Sequence, residues 1–555
     1  MMHSKQHIAS LPAILKKKGV RNIVVSPGSR NAPLVQVFNR SFHEACMSIV
    51  DERSAGYVAL GLALFSEQPT VLISTSGTAA VNYGPAIAEA YHQGVPLIVL
   101  TADRPPEWID MQDNQSIRQT HLFADNSKAE FQLPTVTISE EDLWLSNRLV
   151  NQAYNLAVSG MKGPVHINIP LREPLYEEIP EVSQAPVFSL VESQAFALSS
   201  ELREEWEQAE KIFIVCGQMP PDPELNQYLN HISEDPRVAI MAEPVSNIHG
   251  SRIINAVDSL FMPMNMLPET LHPDLVIYVG GQVVSKQWKL YLRSLEVSQW
   301  YVTPASHFAD PFQNLDRLIK VHPVSFFRDL LLLPKSKAKC AFSEKWIHRA
   351  QSLKVHQQDL LEQVEYSDLA VFKKLSQKFE KSDILFAGNS SVVRYMQMFP
   401  VNSHKVYANR GASGIDGCLS TSVGIAASAS EKVISVVGDL SFVYDSNALW
   451  NRNLPSNFKI VVINNEGGGI FRMIPGPQEQ EAFENLIEAH HPVDIEKLSA
   501  AFGVSYNYTD NLEHFDQVYE KFYTSDECSV LEIRTPKEVN ALVFNWYIKN
   551  MKDYE

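Results

Sequence analysis

Short runs of apolar, mostly β-branched residues recur along the chain, and each run ends at a cluster of small or polar residues. In the first third these runs lie at 20–25, 71–73 and 97–100. The stretches between them have apolar residues at helical spacing, notably 53–65 and 79–92. Because buried parallel strands are continuously apolar and alternate with helices, this pattern predicts a doubly wound α/β domain.

The last third of the chain has the same pattern. Apolar runs at 433–437 and 458–463 predict two buried strands, and the residues between them, 444–452, have helical spacing. An ungapped shift of the sequence by 363 positions aligns strand ends and glycines of the first third with those of the last third. The aligned pairs are Gly61 with Gly424, Ser76 with Asp439, Ala102 with Asn465, and Glu52 with Ile415. We therefore expect two domains of one fold.

The middle of the chain is also predicted to be α/β. Apolar runs lie at 212–216, 238–241 and 275–279, and none of them leads into a GxGxxG fingerprint. Two segments, 177–186 (EEIPEVSQAP) and 334–345 (PKSKAKCAFSEK), have the composition of linkers. The sequence thus predicts three doubly wound parallel-sheet domains, at 1–180, 181–345 and 346–555.

Composition and charge narrow the class of protein. The 555 residues are 45% hydrophobic and 20% charged, as in ordinary globular proteins. A net charge of −17 argues against nucleic acid and anionic membranes as partners. No apolar run approaches the roughly 18 residues that span a bilayer, and no secretory signal pattern is present, so we expect a cytoplasmic protein. Five scattered cysteines without a CxxC indicate neither disulfides nor a zinc site.

Two neighbouring predicted strands end in polar pairs, Gly438-Asp439 and Asn464-Asn465. Ligands of doubly wound sheets bind at the carboxyl edge of the strands. The oxygens of Asp439 and Asn465, with the backbone carbonyl of Gly467, suit a hard cation such as Mg²⁺ that shares its ligands with a diphosphate. Ordinary strand-end turns remain the alternative interpretation of both pairs.

These pairs, taken together, resemble the GD…NN motif of the thiamine-diphosphate (ThDP) enzymes, although Leu440 stands where many members have a glycine. Further stretches are similar to the branch of this family that acts in menaquinone biosynthesis. They are 26–30 (SPGSR), 51–53 (DER), 75–79 (TSGTA), 101–107 (TADRPPE), 114–119 (NQSIRQ), 163–170 (GPVHINIP), 388–394 (GNSSVVR), 409–417 (NRGASGIDG) and 464–471 (NNEGGGIF). The resemblance implies that the first domain binds the pyrimidine of ThDP and the third its diphosphate.

The resemblance also implies a set of cofactor residues. Glu52 matches the glutamate that activates the aminopyrimidine; without the family it would be interpreted as a surface or capping charge. Ile415 matches the apolar residue that bends ThDP, its alternative being an ordinary core position. The implied metal is Mg²⁺, or Mn²⁺, on Asp439, Asn465 and Gly467. The full cofactor set is Glu52, Thr78, Ser390, Gly414, Ile415, Asp439, Leu440, Ser441, Asn465, Gly469, Ile470 and Phe471.

Five arginines follow predicted strand ends: Arg30, Arg104, Arg118, Arg394 and Arg410. Singly, each would be expected to be solvated, but five in an acidic protein suggest substrates with several carboxylates. The resemblance implies decarboxylation of 2-oxoglutarate and 1,4-addition of the product to isochorismate, with Glu52, Arg394 and Arg410 as catalytic residues. The implied substrate residues are Ser29, Arg30, Arg104, Asn114, Gln115, Lys286, Arg394, Arg410, Phe471 and Ile474.

Three further expectations complete the sequence-based hypothesis. The family layout implies a homodimer or a dimer of dimers with active sites at the interface. Another ThDP-dependent decarboxylase or carboligase, such as an acetohydroxyacid synthase, is the nearest alternative, and a non-catalytic nucleotide-binding or scaffold protein is the alternative from another class. His490-His491-Pro492 lies in an acidic, amphipathic stretch, for which we favour a surface role over catalysis.

Overall fold

The structure is a computed structural model that describes residues 3–191, 196–255, 257–261, 267–305, 309–334, 340–452 and 454–552. Its strands form three separate six-stranded sheets. All recorded strand pairings are parallel. No helix among the described residues has the length and apolar character required to cross a bilayer.

The first sheet has the order β2-β1-β3-β4-β6-β5. Its strands are β1 (Asn22–Val25), β2 (Cys46–Ser48), β3 (Thr70–Ser74), β4 (Leu97–Asp103), β5 (Glu130–Gln132) and β6 (Val165–Pro170). Its helices are α1 (Gln6–Lys17), α2 (Ala32–Phe42), α3 (Glu52–Ser66), α4 (Thr78–Asn82), α5 (Gly84–Gln93) and α6 (Glu140–Val158). Strands β3 and β4 are buried along their whole length, as the apolar runs at 71–73 and 97–100 within them predict.

The second sheet has the order β12-β11-β10-β7-β8-β9. Its strands are β7 (Ile212–Cys216), β8 (Val238–Ala242), β9 (Ile253–Ile254), β10 (Leu275–Val279), β11 (Ser298–Thr303) and β12 (Leu315–Lys320). The helices of this part are α7 (Ser200–Gln208), α8 (Pro223–Ile232), α9 (Val257–Phe261), α10 (Lys286–Arg293) and α11 (Pro323–Leu330).

The third sheet has the order β14-β13-β15-β16-β18-β17. Its strands are β13 (Ile384–Ala387), β14 (Lys405–Tyr407), β15 (Val433–Gly438), β16 (Phe458–Asn464), β17 (Ser505–Thr509) and β18 (Ser529–Arg534). The remaining helices are α12 (Phe342–Leu361), α13 (Asp368–Ser376), α14 (Ser391–Met396), α15 (Cys418–Ser428), α16 (Asp439–Tyr444), α17 (Ile470–Met473), α18 (Ile495–Ala501), α19 (Phe515–Thr524) and α20 (Lys537–Lys552).

The strand orders confirm the predicted duplication. When the strands are numbered from the start of each sheet, the first and third sheets have the same order, 2-1-3-4-6-5. Helices α3 and α15, which the sequence shift aligns, pack against each other through aligned glycines. A Cβ atom on Gly61 would lie 2.0 Å from the carbonyl oxygen of Thr421, and one on Gly424 would lie 2.1 Å from that of Val58.

The chain forms two compact units. Unit 1 consists of Met1–Glu192, Asn409–Ser430 and Tyr444–Pro455; unit 2 consists of Ser193–Ala408, Glu431–Val443 and Ser456–Glu555. Unit 1 contains the first sheet and α15. Unit 2 contains the second and third sheets, whose buried side chains form a continuous cluster that includes Trp346 of α12.

Several predicted element boundaries were wrong. The predicted helix at 444–452 is instead the end of α16, at Tyr444, followed by a 3₁₀ turn at Ser446–Leu449. The predicted helix at 79–92 is divided into α4 and α5. The predicted linker at 334–345 lies partly outside the described residues, and its last four residues form the first turn of α12. The other linker, 177–186, has no regular structure but buries Ile179 in the core of unit 1.

Candidate functional site

In unit 1, the loops that follow β1, β3 and β4 lie together at the carboxyl edge of the first sheet. The backbone N–H of Arg30 donates to the hydroxyl of Thr75 at 3.3 Å. Gln119 joins the loop after β3 to the end of β4. Its Oε1 accepts from the N–H of Gly77 at 2.8 Å, and its Nε2 donates to the carbonyl of Ala102 at 3.1 Å. These hydrogen bonds therefore link four of the motif segments: 26–30, 75–79, 101–107 and 114–119.

Glu52 begins helix α3 at this edge. The preceding residue, Asp51, caps the helix, because its Oδ1 accepts from the backbone N–H groups of Arg53 (2.9 Å) and Ser54 (3.2 Å). With Asp51 as the cap, Glu52 is free of that role and lies half-buried. Its charge acts on the fully buried Tyr83, whose pKa is raised mainly by burial and further by Glu52. This position suits a carboxyl group that contacts a ligand.

The predicted substrate residues of unit 1 differ in exposure. Ser29, Thr78, Asn114 and Gln115 are exposed, and Gln115 adopts a left-handed backbone with φ of 53°. Backbone conformations of this kind are strained for a residue other than glycine and are found preferentially at functional sites.

The arginines of the first sheet have different partners. Arg30 is buried and donates to the carbonyl of Leu171 at 3.0 Å. Arg104 donates to the carbonyl of Asn114 at 2.7 Å, which brings two predicted substrate residues together. Arg118 is 80% exposed and forms an ion pair with Asp110 at 2.9 Å. The structure therefore places Arg118 on the surface, as an ordinary solvated arginine.

A further part of unit 1 is the loop 410–415, which carries Arg410, Gly414 and Ile415. Three consecutive backbone N–H groups of this loop donate to the buried carboxylate of Glu89 on α5. The distances are 2.5 Å from Gly411, 2.7 Å from Ala412 and 3.2 Å from Ser413. Burial raises the pKa of Glu89, while these amides and the charge of Arg410 act in the opposite direction. One side chain thus fixes the backbone between the three predicted site residues.

The exposure of two residues on this loop bears on their roles. Ile415 is only partly buried, which disagrees with the alternative of an ordinary core position. Arg410 is 8% exposed, and its charge lies close enough to Glu89 to affect the pKa of that carboxyl group. Arg410 is therefore not a solvated surface arginine.

In unit 2, Asp439 and Gly467 meet at the carboxyl edge of β15 and β16. Asp439 is 1% exposed; its Oδ1 accepts from the N–H of Leu440 at 2.7 Å and its Oδ2 from the N–H of Gly467 at 2.8 Å. The nearest recorded basic group within the described part of the chain is His491, with its Nε2 3.4 Å from Asp439 Oδ2. The carboxylate raises the pKa of His491.

The donor set at this edge fits a hard divalent cation. Asn465 donates from Nδ2 to the carboxylate of Asp368 at 2.9 Å, which leaves its Oδ1 as the atom able to bind a ligand. A buried carboxylate gains much from a cation, because burial without one is costly. Within the described ranges there is no cluster of three or more His, Cys, Asp or Glu side chains arranged for a metal. The candidate ligands at this edge are one carboxylate, one amide oxygen and one backbone carbonyl.

The other predicted residues of unit 2 lie on short elements near this edge. Ser390 precedes α14 with φ of 74°, and its carbonyl accepts from Arg394 at 2.5 Å. Arg394 is exposed on α14, and Lys286 is exposed at the first position of α10. The N–H of Ser285, just before Lys286, donates to the fully buried Glu243 at 2.7 Å.

The predicted apolar wall follows the glycines of 467–469. Leu440, Ile470 and Phe471 are partly buried, and Ile474 is 43% exposed. Core packing, the alternative interpretation of Ile470, Phe471 and Ile474, is therefore not observed. Ser441 is buried on α16. Apolar side chains that are not fully buried suit contact with a ligand at this edge.

Sequence reasoning missed three residues that the structure places at these edges. His491 was interpreted as a surface residue, but it lies beside Asp439; the preceding His490 is exposed, as expected. Glu89 and Asp368 were not considered. Both lie in helices where an acidic residue is unremarkable, and each reaches its partners only through the tertiary fold, so no local pattern could have identified them.

Two family models match the chain. The model described as thiamine pyrophosphate enzyme, N-terminal TPP binding domain, matches residues 8–123, and the corresponding C-terminal TPP binding domain matches residues 387–533. Both matched segments include the edges described above, with Glu52 in the first and Asp439 and Asn465 in the second.

The chain also matches whole proteins along nearly their full length. A 2-succinyl-5-enolpyruvyl-6-hydroxy-3-cyclohexene-1-carboxylate synthase of Desulfotalea psychrophila is 42% identical over 91% of this chain and 94% of the relative. Proteins of the same name are 39% identical in Cytophaga hutchinsonii, over 99% of both chains, and 36% identical in Flavobacterium johnsoniae, over 99% of this chain and 100% of the relative. The chain therefore belongs to the 2-succinyl-5-enolpyruvyl-6-hydroxy-3-cyclohexene-1-carboxylate synthase family of ThDP-dependent enzymes.

Proposed function

We propose that this chain catalyses the reaction of its family: decarboxylation of 2-oxoglutarate and 1,4-addition of the resulting four-carbon unit to isochorismate, in menaquinone biosynthesis. The observation that carries the proposal is the match to synthases of this name over nearly the whole chain, including the central part. A match confined to the two cofactor-binding domains would support an acetohydroxyacid synthase equally well. The presence of Glu52, Asp439 and Asn465 at the edges of their sheets supports an active enzyme over a non-catalytic relative.

When bound, ThDP would supply a nucleophilic thiazolium carbon and an electron sink for the decarboxylation of a 2-oxo acid. In unit 1, Glu52 would hydrogen-bond the aminopyrimidine and hold the proton that this ring requires. Ile415 would contact the cofactor between its two rings, and Thr78 and Gly414 would line the same space. The limits of the three domains predicted from sequence, 1–180, 181–345 and 346–555, remain a prediction.

Unit 2 would hold the diphosphate through a divalent cation, Mg²⁺ or Mn²⁺. Asp439, the Oδ1 of Asn465 and the carbonyl of Gly467 are the proposed protein ligands. Ser390, Leu440, Ser441 and Gly469 would contact the phosphates with backbone or hydroxyl groups, and Ile470 and Phe471 would contact the thiazolium side. The buried carboxylate of Asp439 supports this assignment, since it has a charge for the cation to balance.

The arginines would bind the substrate carboxylates. Arg394 and Arg410 are proposed to bind the carboxylates of one or both substrates, and Arg410 is almost fully buried, which strengthens charge-assisted hydrogen bonds. Ser29, Arg30 and Lys286 are proposed to face isochorismate, and Arg104 is proposed to bind a substrate carboxylate. Asn114, Gln115, Phe471 and Ile474 would form the remaining walls.

We also propose a homodimer, or a dimer of dimers, with active sites at the interface, and a cytoplasmic location. Exposed apolar side chains near the start of α3 support the proposed oligomer. Val50 is 54% exposed, Tyr444 is 53% exposed and Trp450 is 57% exposed. Replacing Trp450 with glutamate should shift the mass measured by light scattering towards the monomer. An unchanged mass would remove this patch from the interface.

The first experiment measures CO₂ release by the full chain with ThDP and Mg²⁺. Fast release is expected only when 2-oxoglutarate and isochorismate are both present, with loss of the isochorismate absorbance. Release from pyruvate, or equal release from 2-oxoglutarate without isochorismate, would indicate the alternative carboligase or decarboxylase.

The role of Glu52 is tested with Glu52→Gln, which should reduce turnover by about 10²–10⁴-fold, the usual contribution of acid–base catalysis. Calorimetry should show that the variant still binds ThDP. Glu67→Gln, at the other end of α3, is the matched control and should leave turnover unchanged. Undiminished turnover in Glu52→Gln would overturn the assignment of this glutamate.

A further inference from the structure

Asp368 is a fully buried carboxylate in unit 2 that no motif identifies. It occupies the first turn of α13, where Ser367 already caps the helix. Both of its oxygens are bound to side chains: Oδ1 accepts from the hydroxyl of Thr535 at 2.6 Å, and Oδ2 accepts from Nδ2 of Asn465 at 2.9 Å. Asn540 donates to the same threonine at 3.1 Å. Asp368 thus directly contacts a proposed metal ligand.

The contact determines which end of the Asn465 amide faces the cation. An amide has an oxygen acceptor on one side and an NH₂ donor on the other, and the two differ little in shape. A carboxylate accepts and does not donate, so only the NH₂ group can face Asp368. The Oδ1 atom must then point to the opposite side of the amide. Without this partner, the amide could rotate and present its NH₂ group, which repels a cation.

Gly469 restrains the same amide from another direction. A Cβ atom at Gly469 would lie 2.8 Å from Nδ2 of Asn465 and 3.0 Å from its Cγ. The backbone of the glycine therefore packs directly against the amide and restrains its plane, but it does not select between the oxygen and the NH₂ group, because the two ends of an amide have nearly the same shape. Asp368 sets the orientation of the amide, and this packing keeps the side chain in place.

We propose that Asp368 is a positioning residue that orients Asn465 so that its Oδ1 faces the divalent cation. The inference rests on the proposed function, since it requires Asn465 to be a metal ligand. If Asp368 only stabilised the start of α13, its replacement would leave metal affinity unchanged. The positioning role predicts that metal affinity falls. Removing a partner that orients a metal ligand usually weakens metal binding by 10–100-fold.

The test measures Mn²⁺ affinity of the full chain with saturating ThDP, from the EPR signal of free Mn²⁺. Asp368→Leu should weaken binding at least tenfold. Asp368→Asn should weaken it less, because its amide oxygen can still accept from Asn465, so this conservative variant gives partial rescue. Melting curves establish that each variant is folded, and Asp368→Asn keeps the test valid if the leucine variant is not.

Asp383→Asn is the matched control. Asp383 is 2% exposed, precedes β13 at the opposite edge of the same sheet, and accepts from the N–H of Glu380 at 2.7 Å and the hydroxyl of Tyr523 at 2.9 Å. Its replacement also removes a buried, hydrogen-bonded carboxylate, but at the edge of the sheet opposite to the proposed metal ligands. Mn²⁺ affinity in this variant should equal that of the wild type.

Asp368 variants made in the Asn465→Asp protein distinguish orientation of residue 465 from general structural support by Asp368. In Asn465→Asp, residue 465 presents oxygen on both sides and needs no orientation, while its charge is repelled by Asp368. Asp368→Leu or Asp368→Asn should therefore strengthen Mn²⁺ binding in that background, a reversal of sign. The same loss in both backgrounds would overturn the positioning role.

Asn465→Ala separates this inference from the proposed function. If Mn²⁺ affinity is unchanged in Asn465→Ala, the metal assignment is wrong and the inference fails with it. If Asn465→Ala weakens binding but Asp368→Leu and Asp368→Asn do not, the metal site stands and only the role of Asp368 is rejected.

Discussion

Glu89 is a single residue on which a whole segment of the site depends. Three consecutive amides of the loop 410–415 donate to its carboxylate. Glu89→Gln replaces one acceptor oxygen with an NH₂ group that faces other donors, so the loop loses its anchor. We expect unit 1 to be destabilised by about 2 kcal/mol, the range for hydrogen bonds to charged groups. We also expect ThDP affinity, measured by calorimetry, to fall about tenfold. Glu141→Gln, exposed on α6, is the control, and unchanged ThDP affinity in Glu89→Gln would contradict the anchoring role.

His7 makes the stability of unit 1 sensitive to acid. Burial, with a smaller effect of Lys5, lowers the pKa of His7 to about 4 from the usual 6.5. As pH falls from 6.5 to 4, the unfolded chain binds a proton that the folded chain does not, so this part of the stability is lost on acidification. Between pH 7.5 and 5 the loss is about 2 kcal/mol.

The measurement is the urea midpoint at the two pH values. His7→Asn should lose less stability between pH 7.5 and 5 than the wild type. The matched variant His514→Asn, at an exposed histidine, should retain the wild-type difference. The same loss of stability between pH 7.5 and 5 in all three proteins would show that His7 does not cause the acid sensitivity.

At the scale of elements, the contact between α3 and α15 depends on its two aligned glycines. Gly61→Ala would place a methyl group about 2.0 Å from a backbone carbonyl of α15, which cannot move away without shifting the helix. We expect a loss of about 1–3 kcal/mol, typical of overpacking, seen as a lower melting temperature. Gly84→Ala, at the first position of α5, meets nothing within 4 Å and should be neutral or slightly stabilising. Similar melting temperatures for the two variants would argue against the close helix contact.

The strands could be predicted from sequence because their apolar runs are long and buried. The shift of 363 positions predicted two domains of one fold, and the shared strand order of the first and third sheets confirms it. Two helix predictions failed for identifiable reasons. Pro85 cannot donate a backbone hydrogen bond, so the segment 79–92 is divided into α4 and α5. The buried carboxylate of Asp445 accepts from Ser420 at 2.7 Å, and this tertiary contact lies at the turn that ends α16.

Prediction of the site had a similar limit. Asp439 and Asn465 could be proposed because each stands at a strand end, where local pattern is informative, whereas Glu52 was identified only through the family resemblance. Asp368 and Glu89 act across sequence separations of 97 and 322 residues, so only the folded chain reveals their partners. Arg118 followed the same pattern as the other arginines, yet the fold pairs it with Asp110 at the surface.

At the scale of the whole molecule, unit 1 is built from three separate segments of the chain. Its first segment, residues 1–192, contains the complete first sheet but lacks α15. Val58 and Leu62 of α3 are almost fully buried in the intact chain, on the stretch of α3 that packs against α15. Exposing each such side chain costs about 1.5–3 kcal/mol. We therefore expect the isolated fragment 1–192 to unfold over a broad range and to give a weak near-UV circular dichroism signal.

A peptide of residues 409–430, which contains α15, should restore part of that signal when it is added to the fragment. The same peptide with Gly424→Leu is the control, because a side chain at this position would meet the backbone of α3 at Val58. A fragment that unfolds sharply by itself, with the near-UV signal unaffected by either peptide, would show that the first sheet is independent of α15. If both peptides restored the signal, the close contact at Gly424 would not be the basis of the pairing of α3 with α15, because a leucine side chain cannot occupy that space.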